Sequence, residues 1–351
     1  MVYFCNLLWN YNNKLSLHIY NVYIYIYYDD FVGGKQASCG ENFSMLLTDE
    51  GHVYSCGLSE YGQLGNGETG EYFVTASKLA FANAVKFERR ALFVESEDKV
   101  PIPDVRISNL SCGKNHTIAI EAPSDKPSRV FTWGCGDYGC LGHDRQADEY
   151  TPRLVQMAGP MLGTANGPVT AAAGGSCSMI LTKNGHVYYW GKHRSVGEAT
   201  MRPTLVDVLA NNRHVVTTMA GGFQSVFCAT NQGVTVSWGN GPHGELGYGK
   251  DQPKSSSKVK FVESLDKVLC DDIQCGYGHT LFLLRDNDNE DKQALKKLST
   301  VEPTDLIEFV KVVTSKATTT VTTTTTTTTS DDNNPTEELK KKSKAGRPKK
   351  K

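Results

Sequence analysis

The chain has 351 residues and carries 37 Lys and Arg against 38 Asp and Glu, so its formal net charge at pH 7 is −1. This balance excludes a protein that binds polyanions with its whole surface. Hydrophobic residues make up 39% and charged residues 21%, which is ordinary for a globular protein. The 33 glycines favour a fold with many tight turns.

The first segment, residues 1–36, is unusual because Ile and Tyr alternate in its second half, up to Tyr28. The run from Leu15 to Tyr28 is shorter than the roughly 20 apolar residues that span a bilayer. It also lacks the basic start and the small-residue cleavage site of a signal peptide. Such a run can pair as a strand or aggregate. We interpret it as a segment that is not native to the following fold, joined to a domain whose start is missing.

Five internal units follow, and each opens with a glycine close to a short apolar run. The shared glycines are Gly40, Gly113, Gly174, Gly221 and Gly276. A second motif in the first four units ends in Cys56-Gly57, Trp133-Gly134, Trp190-Gly191 and Trp238-Gly239. A third motif of the form Gly-x-Leu-Gly ends at Gly65, Gly142 and Gly247, and survives in the third unit only as Ser195-Val196-Gly197. Repetition of this kind indicates one structural element used several times.

The apolar runs between these motifs are too short for helices and are bounded by turn residues, which predicts buried strands. The three tryptophans supply large buried surfaces, and the glycine after each lets one backbone approach another. A unit of a few short strands cannot bury both faces of its own sheet, so neighbouring units must stack. The pattern predicts an all-β protein, a β-propeller.

Catalytic and metal-binding patterns are absent from the sequence. His116 and His279 hold the same position in their units, and Phe43, Cys177 and Gln224 hold it in the others. A position that accepts Phe is not a ligand or a base, so we predict structural histidines that brace a loop. None of the ten cysteines lies in a Cys-x-x-Cys pair, and we expect no cofactor, no metal and a reducing compartment, the nucleus or the cytosol. The run Asp286–Asp291 lacks the glycine and glutamate of a calcium loop and is interpreted as a solvated tail.

These repeats resemble the regulator of chromosome condensation repeat family, whose motif reads Cys-Gly-x-x-His-Thr, Val-x-x-Trp-Gly and Gly-x-Leu-Gly. The resemblance implies a seven-bladed propeller, of which about four and a half blades are present. The units lie near 37–105, 106–168, 169–215, 216–268 and 269–285, and a charged extension, 286–317, follows. We therefore expect an open arc with exposed strand edges, which favours aggregation.

The fourth and fifth units resemble a family member found at mitotic centromeres, through the stretches from Trp238 to Gly249 and from Cys275 to Leu281. That resemblance implies a nuclear protein that acts on chromosomes in mitosis and contacts small GTPases. Two functions stay open. The propeller is an interaction scaffold for small GTPases or their regulators, or it is a guanine-nucleotide exchange factor that prises nucleotide from a GTPase.

The C-terminal tail, 318–351, changes character. It begins with a nearly pure threonine run, which predicts disorder. Its end resembles an AT-hook core, a peptide that binds the DNA minor groove, although Ala345 replaces the usual first arginine. The basic cluster also suits a nuclear import signal. The residues concerned are Lys340, Lys341, Lys342, Lys344, Gly346, Arg347, Pro348, Lys349, Lys350 and Lys351.

The tail makes a first prediction. A fluorescent peptide of residues 340–351 should bind an AT-rich duplex, and affinity should fall at least about tenfold between about 50 and 200 mM salt, because lysine contacts to phosphates release counterions. Fluorescence titration at the two salt concentrations measures this. Absence of binding even at the lower salt concentration would remove the DNA interpretation.

Overall fold

The computed structural model describes residues 6–10, 14–19, 22–26, 33–69, 93–94, 100–156, 163–192 and 198–298, with only the backbone described before residue 33. The basic and threonine-rich tail therefore lies outside the described residues. The first sheet is a three-stranded antiparallel meander at the N-terminus. Its strands are β1 (Asn6–Asn10), β2 (Lys14–Ile19) and β3 (Val22–Ile26).

The next four sheets are the predicted blades, and they follow one another along the chain. The first blade has β4 (Gly34–Cys39), β5 (Phe43–Thr48) and β6 (Val53–Gly57). The second has β7 (Ile107–Cys112), β8 (His116–Glu121), β9 (Val130–Gly134) and β10 (Glu149–Leu154). The third has β11 (Pro168–Ala173), β12 (Cys177–Thr182), β13 (Val187–Gly191) and β14 (Thr200–Leu205). The fourth has β15 (Val216–Gly221), β16 (Ser225–Thr230), β17 (Thr235–Gly239) and β18 (Ser256–Phe261).

The last sheet is a half blade of two strands, β19 (Cys270–Cys275) and β20 (Thr280–Leu284). The outer edge of β20 pairs with no strand among the described residues. On this strand Leu281 and Leu283 are 60% and 63% exposed, while Phe282 and Leu284 pack towards the fourth blade. The chain is thus a partial β-propeller, and its last sheet has the exposed apolar edge that the repeat count predicts.

Two short helices accompany the strands, α1 (Asp207–Asn211) and α2 (Asn289–Leu295). Neither these nor any other helix among the described residues has the length and apolar character needed to cross a membrane. The interpretation of Asp286–Asp291 as a solvated tail holds only in part, because residues 286–290 are exposed but the run also begins helix α2. Asp288 caps α2 by accepting the Asp291 N–H, Arg285 pairs with Asp291, and Leu295 packs on the half blade. The charged run contains a helix start, because Asp is a preferred N-cap residue.

The hydrophobic core is divided into four clusters, and each lies between two consecutive sheets. The first joins blades one and two through side chains such as Met45, Leu110 and Trp133. The second joins blades two and three and includes Trp190, and the third joins blades three and four and includes Trp238. The fourth seals the half blade against blade four. Each blade therefore buries its faces against its neighbours, as the repeat pattern requires.

Two tryptophans explain the closing glycine of the Gly-x-Leu-Gly motif in the first two units. Trp133 lies against Gly65 of the preceding blade and donates its indole N–H to the Gln63 carbonyl at 3.0 Å. Trp190 lies in the same way against Gly142. A methyl group at Gly142 would sit 2.9 Å from the Trp190 indole nitrogen, and the φ of Gly142 is +75°. Both the backbone conformation and the indole therefore demand glycine here.

This packing makes a second prediction. Gly142→Ala should lower the free energy of unfolding by about 2 kcal/mol more than Gly244→Ala, because both changes place a side chain at positive φ but only the first collides with a buried indole. Gly244 has φ +87° and open space around it, so it is a matched control. Thermal and urea unfolding of the three proteins measure the difference. Equal destabilisation by the two changes would contradict the assigned role of the Trp190 contact.

Candidate functional site at the loop face

Two sets of loops lie at the same end of the blades, because successive strands of each blade run in opposite directions. One set is the turn after the innermost strand, as between Cys112 and His116. The other set joins the third strand to the fourth, as between Gly134 and Glu149. We call this end of the propeller the loop face.

The repeat glycines form the turns of the loop face, with one correction. Gly40, Gly113, Gly174 and Gly276 each donate their N–H to the carbonyl three residues later, at 2.8 to 2.9 Å. In the fourth unit this bond comes from Gly222, to Ser225 at 2.8 Å. The alignment on Gly221 is therefore wrong by one residue, because two consecutive glycines made the register ambiguous. Gly221 ends β15, and Ser225, not Gln224, holds the position of His116.

His116 braces the second and third blades beneath the loop face. Its Nε2 lies 3.0 Å from Ser178 Oγ and 3.2 Å from the Cys177 carbonyl. The Ser178 hydroxyl donates to the Cys140 carbonyl at 2.8 Å, so its oxygen accepts from the histidine and Nε2 carries the hydrogen. Burial lowers the pKa of His116 to about 4. A neutral, buried ring that bridges two blades through Nε2 has a structural role.

A row of solvent-accessible side chains crosses the loop face above this brace, from four of the five glycine turns, since the third turn presents Gly175 at this position. The Lys114 ammonium lies 3.5 Å from the Glu41 carboxylate and 6.0 Å from the centre of the Phe223 ring. Phe223 in turn stacks on Tyr277, with ring centres 4.5 Å apart. Each of these four residues directly follows a turn glycine. The loop face therefore presents aromatic rings next to charged groups, and aromatic residues are enriched at protein interfaces.

A cleft of about 350 Å³ opens next to this row, between the loops of blades two and three. Its walls include Lys114, Asp137, Tyr138, Lys192 and Phe223. The Lys192 ammonium lies 4.9 Å from the centre of the Tyr138 ring, and Tyr138 is 42% exposed. His116 and Cys140 line the same cleft, so the brace described above supports it from below.

The repeat cysteines, histidines and tryptophans belong to the framework beneath the loop face. No group of three or more His, Cys, Asp or Glu in the described parts of the chain could hold a metal ion. Burial raises the pKa of the thiols of Cys112 and Cys177 to about 12, so these cysteines are protonated and unreactive at neutral pH. His279 closes the last turn in the same way as His116 closes its own, because its carbonyl accepts the Gly276 N–H. Trp238 makes an edge-to-face contact with Tyr189, with ring centres 6.1 Å apart. The repeat residues are thus the framework of the face.

The repeat pattern of the sequence predicts neither the row of side chains nor the cleft. The repeat alignment drew attention to the constant glycines, histidines and tryptophans, whereas the row consists of the variable residues that follow each glycine. The signal that would have found them is variation between fixed positions, since a repeat keeps its framework and changes what it presents. The basic tail residues from Lys340 to Lys351 lie outside the described residues, so the structure places none of them.

Comparison with known proteins agrees with this geometry. The regulator of chromosome condensation (RCC1) repeat matches residues 35–63, 50–78 and 128–181. Protein RCC2 homolog of Xenopus laevis is 36% identical over 276 residues, which is 77% of this chain and 52% of that protein. Protein RCC2 of Homo sapiens is 36% identical over 273 residues, 77% of this chain and 50% of that protein. The chain spans about half the length of these curated relatives.

A solved structure supports the fold alone. Prp20p from Saccharomyces cerevisiae superposes with a TM-score of 0.57, at 17% identity, over 82% of this chain and 67% of its own.

The buried histidines make a third prediction. Burial also lowers the pKa of His143 to about 4, with a further contribution from Arg153. Between about pH 4 and 6.5 the unfolded chain therefore binds protons that the folded chain does not, and stability falls as the pH drops through this window. Each histidine should remove about 2 kcal/mol between pH 7 and 5.

The test compares the wild-type chain with His116→Gln, which keeps a donor near the Cys177 carbonyl. Urea unfolding at pH 7 and pH 5 should show a smaller loss of stability for the variant. An equal loss in both proteins would show that His116 is not neutral in the folded state.

Proposed function

We propose that this chain is a scaffold whose loop face binds small GTPases or their regulators. The premise is that the chain belongs to the regulator of chromosome condensation (RCC1) repeat family and is an RCC2-type member of it. The observation that carries the proposal is the row of solvent-accessible side chains Glu41, Lys114, Phe223 and Tyr277 on four of the five glycine turns. A rigid sheet framework holds this row, and exposed aromatic residues beside charges are typical anchors of protein interfaces.

The relatives supply the class of partner. The structurally similar yeast protein Prp20p binds Gsp1p and histones. A second solved structure contains Kap60 bound to yeast RCC1. We extend to this chain a partner of the same class, a small GTPase or a protein that regulates one. The basic tail, Lys340–Lys351, would retain the protein in the nucleus or on chromosomes, which fits the homology to the RCC2 proteins.

Scaffolding is preferred to nucleotide exchange as the function of this chain. An exchange factor inserts a projecting element into the nucleotide site of the GTPase, and the described loops of the face form a row and a cleft rather than such a wedge. The family resemblance supports exchange only by analogy, because one fold carries many functions. The two functions separate in one measurement, since only an exchange factor accelerates nucleotide release.

The fourth prediction tests the loop face directly. The full chain, immobilised, should capture at least one member of a panel of purified small GTPases offered nucleotide-free, with GDP and with a GTP analogue. The double change Phe223→Ala and Tyr277→Ala should weaken capture at least about tenfold, since loss of buried aromatic anchors commonly costs 2 kcal/mol or more. Release of a fluorescent GDP analogue should not accelerate.

The control is Phe261→Ala. Phe261 is 53% exposed on β18, the outermost strand of blade four, away from the glycine turns. This variant should capture GTPases as the wild type does. Failure to capture any GTPase, or equal weakening by the loop-face and control variants, would contradict the proposal. Accelerated nucleotide release would replace scaffolding with exchange.

A further inference from the structure

The cleft between blades two and three contains a strained residue that the framework does not require. Tyr138 has φ +57°, a left-handed conformation that costs a non-glycine residue about 1 kcal/mol or more. Tyr61 and His243 occupy the same motif position in blades one and four and do not have positive φ. The motif can therefore be built without this strain, and in blade two the left-handed Tyr138 places a ring that is 42% exposed at the cleft.

Lys192 is the second unusual group. It is half-buried at the wall of the cleft, and its ammonium rests on the Tyr138 ring at 4.9 Å. Among the described residues no carboxylate lies within ion-pair distance of it. A half-buried ammonium without a counter-charge is unfavourable, and an aromatic face compensates only part of the lost hydration. An anionic group brought by a ligand would complete this site.

The charges of the lining favour such a ligand. Two ammonium groups, those of Lys114 and Lys192, face a single carboxylate, that of Asp137. Lys114 forms an ion pair with Glu41, so Lys192 is the ammonium of the lining that is available to pair with an anionic ligand. The cleft is thus weakly cationic, and its positive end is Lys192.

The remaining lining suits a peptide. Asn115, Ser176 and Gln224 contribute polar side chains, and Phe223 and Tyr138 contribute rings. A volume of about 350 Å³ falls within the usual range for ligand sites. A nucleic acid strand requires a groove with a series of cationic contacts to its phosphates, and this cleft offers two lysines opposed by an aspartate. A short acidic chain with neutral backbone amides matches both the charge and the polar lining.

We infer that the cleft between blades two and three receives an extended acidic segment of a partner protein, with a carboxylate against Lys192 and Lys114 and its neighbouring groups against Tyr138 and Phe223. This inference rests on the proposed function only in taking the loop face as the binding face. It adds the chemistry of the partner, a segment rich in Asp or Glu, which the relatives do not specify.

The probe is a fluorescein-labelled peptide of alternating Ser and Glu, titrated against the full chain by fluorescence anisotropy at low salt. The same peptide with Gln in place of Glu removes the charge, and an oligothymidylate of equal length offers a different anion. The wild type should bind the Glu peptide at least about tenfold more tightly than the Gln peptide. Binding should weaken as salt rises, because the contact is partly exposed.

Three variants separate the cleft from general charge. Lys192→Glu and Lys114→Glu should each weaken binding of the Glu peptide about tenfold, which corresponds to about 1.4 kcal/mol. Lys126→Glu is the matched control, since Lys126 is exposed in the turn between β8 and β9 at the opposite end of blade two. It carries the same charge change and should bind as the wild type does. The double variant Lys114→Glu and Lys192→Glu should bind a peptide of alternating Ser and Lys, which the wild type does not bind.

Several results would overturn the inference. They are absence of Glu-peptide binding at low salt, equal binding by the Lys192→Glu and Lys126→Glu variants, and tighter binding of the oligothymidylate with the same dependence on Lys192, which would make the cleft a nucleic-acid site. GTPase capture measured on the same variants keeps the two proposals apart. Peptide binding without GTPase capture contradicts only the proposed function, and capture without peptide binding contradicts only this inference.

Discussion

The structure depends on burial of each blade against the next. A three- or four-stranded sheet has two apolar faces and no means of covering either, so the four core clusters all lie between blades. The contact of a tryptophan with the glycine of the preceding blade fixes how closely two sheets approach. Trp133 on Gly65 and Trp190 on Gly142 are two copies of this contact. The constant residues of the repeat serve this packing, and the loops are free to vary.

The loop face shows the same separation between constant framework residues and variable exposed residues. The His116, Ser178 and Cys140 bridge holds the turns of two blades at a fixed distance, with buried polar atoms satisfied. Above it, side chains that are far apart in sequence come into contact, such as Lys114 with Phe223 and Tyr138 with Lys192. A rigid base with variable exposed groups is how propellers present binding surfaces. The proposed scaffold function and the acidic-peptide cleft both use this arrangement.

Sequence reasoning predicted the framework well and the surface poorly. The strands, their grouping into blades and the buried tryptophans follow from turn residues and apolar runs, which act locally. The Ala220-Gly221-Gly222 stretch misled the alignment because either glycine satisfies the pattern, and only the hydrogen bond of Gly222 to Ser225 decides between them. Helix α2 was missed because its charged residues resemble a solvated tail until Asp288 caps it and Leu295 finds the half blade. The cleft could not be predicted, since its residues meet only after two blades have packed.

Side-chain hydrogen bonds between the innermost strands of neighbouring blades are unevenly distributed. Gln36 bonds to the backbone of Leu110, and Asn109 and Ser111 bond to the backbone of Ala171 and Ala173, so blades one, two and three share directional bonds near the axis. Between β11 and β15 the described side chains form no such bonds. The directional bonds across that junction come from the backbone instead, from the Val216 N–H to the Gly185 carbonyl at 3.2 Å and from the Gly175 N–H to the Gly222 carbonyl at 3.1 Å. A side-chain substitution on β11 or β15 therefore removes no directional bond between blades three and four, whereas truncation of Asn109 or Ser111 removes one between blades two and three.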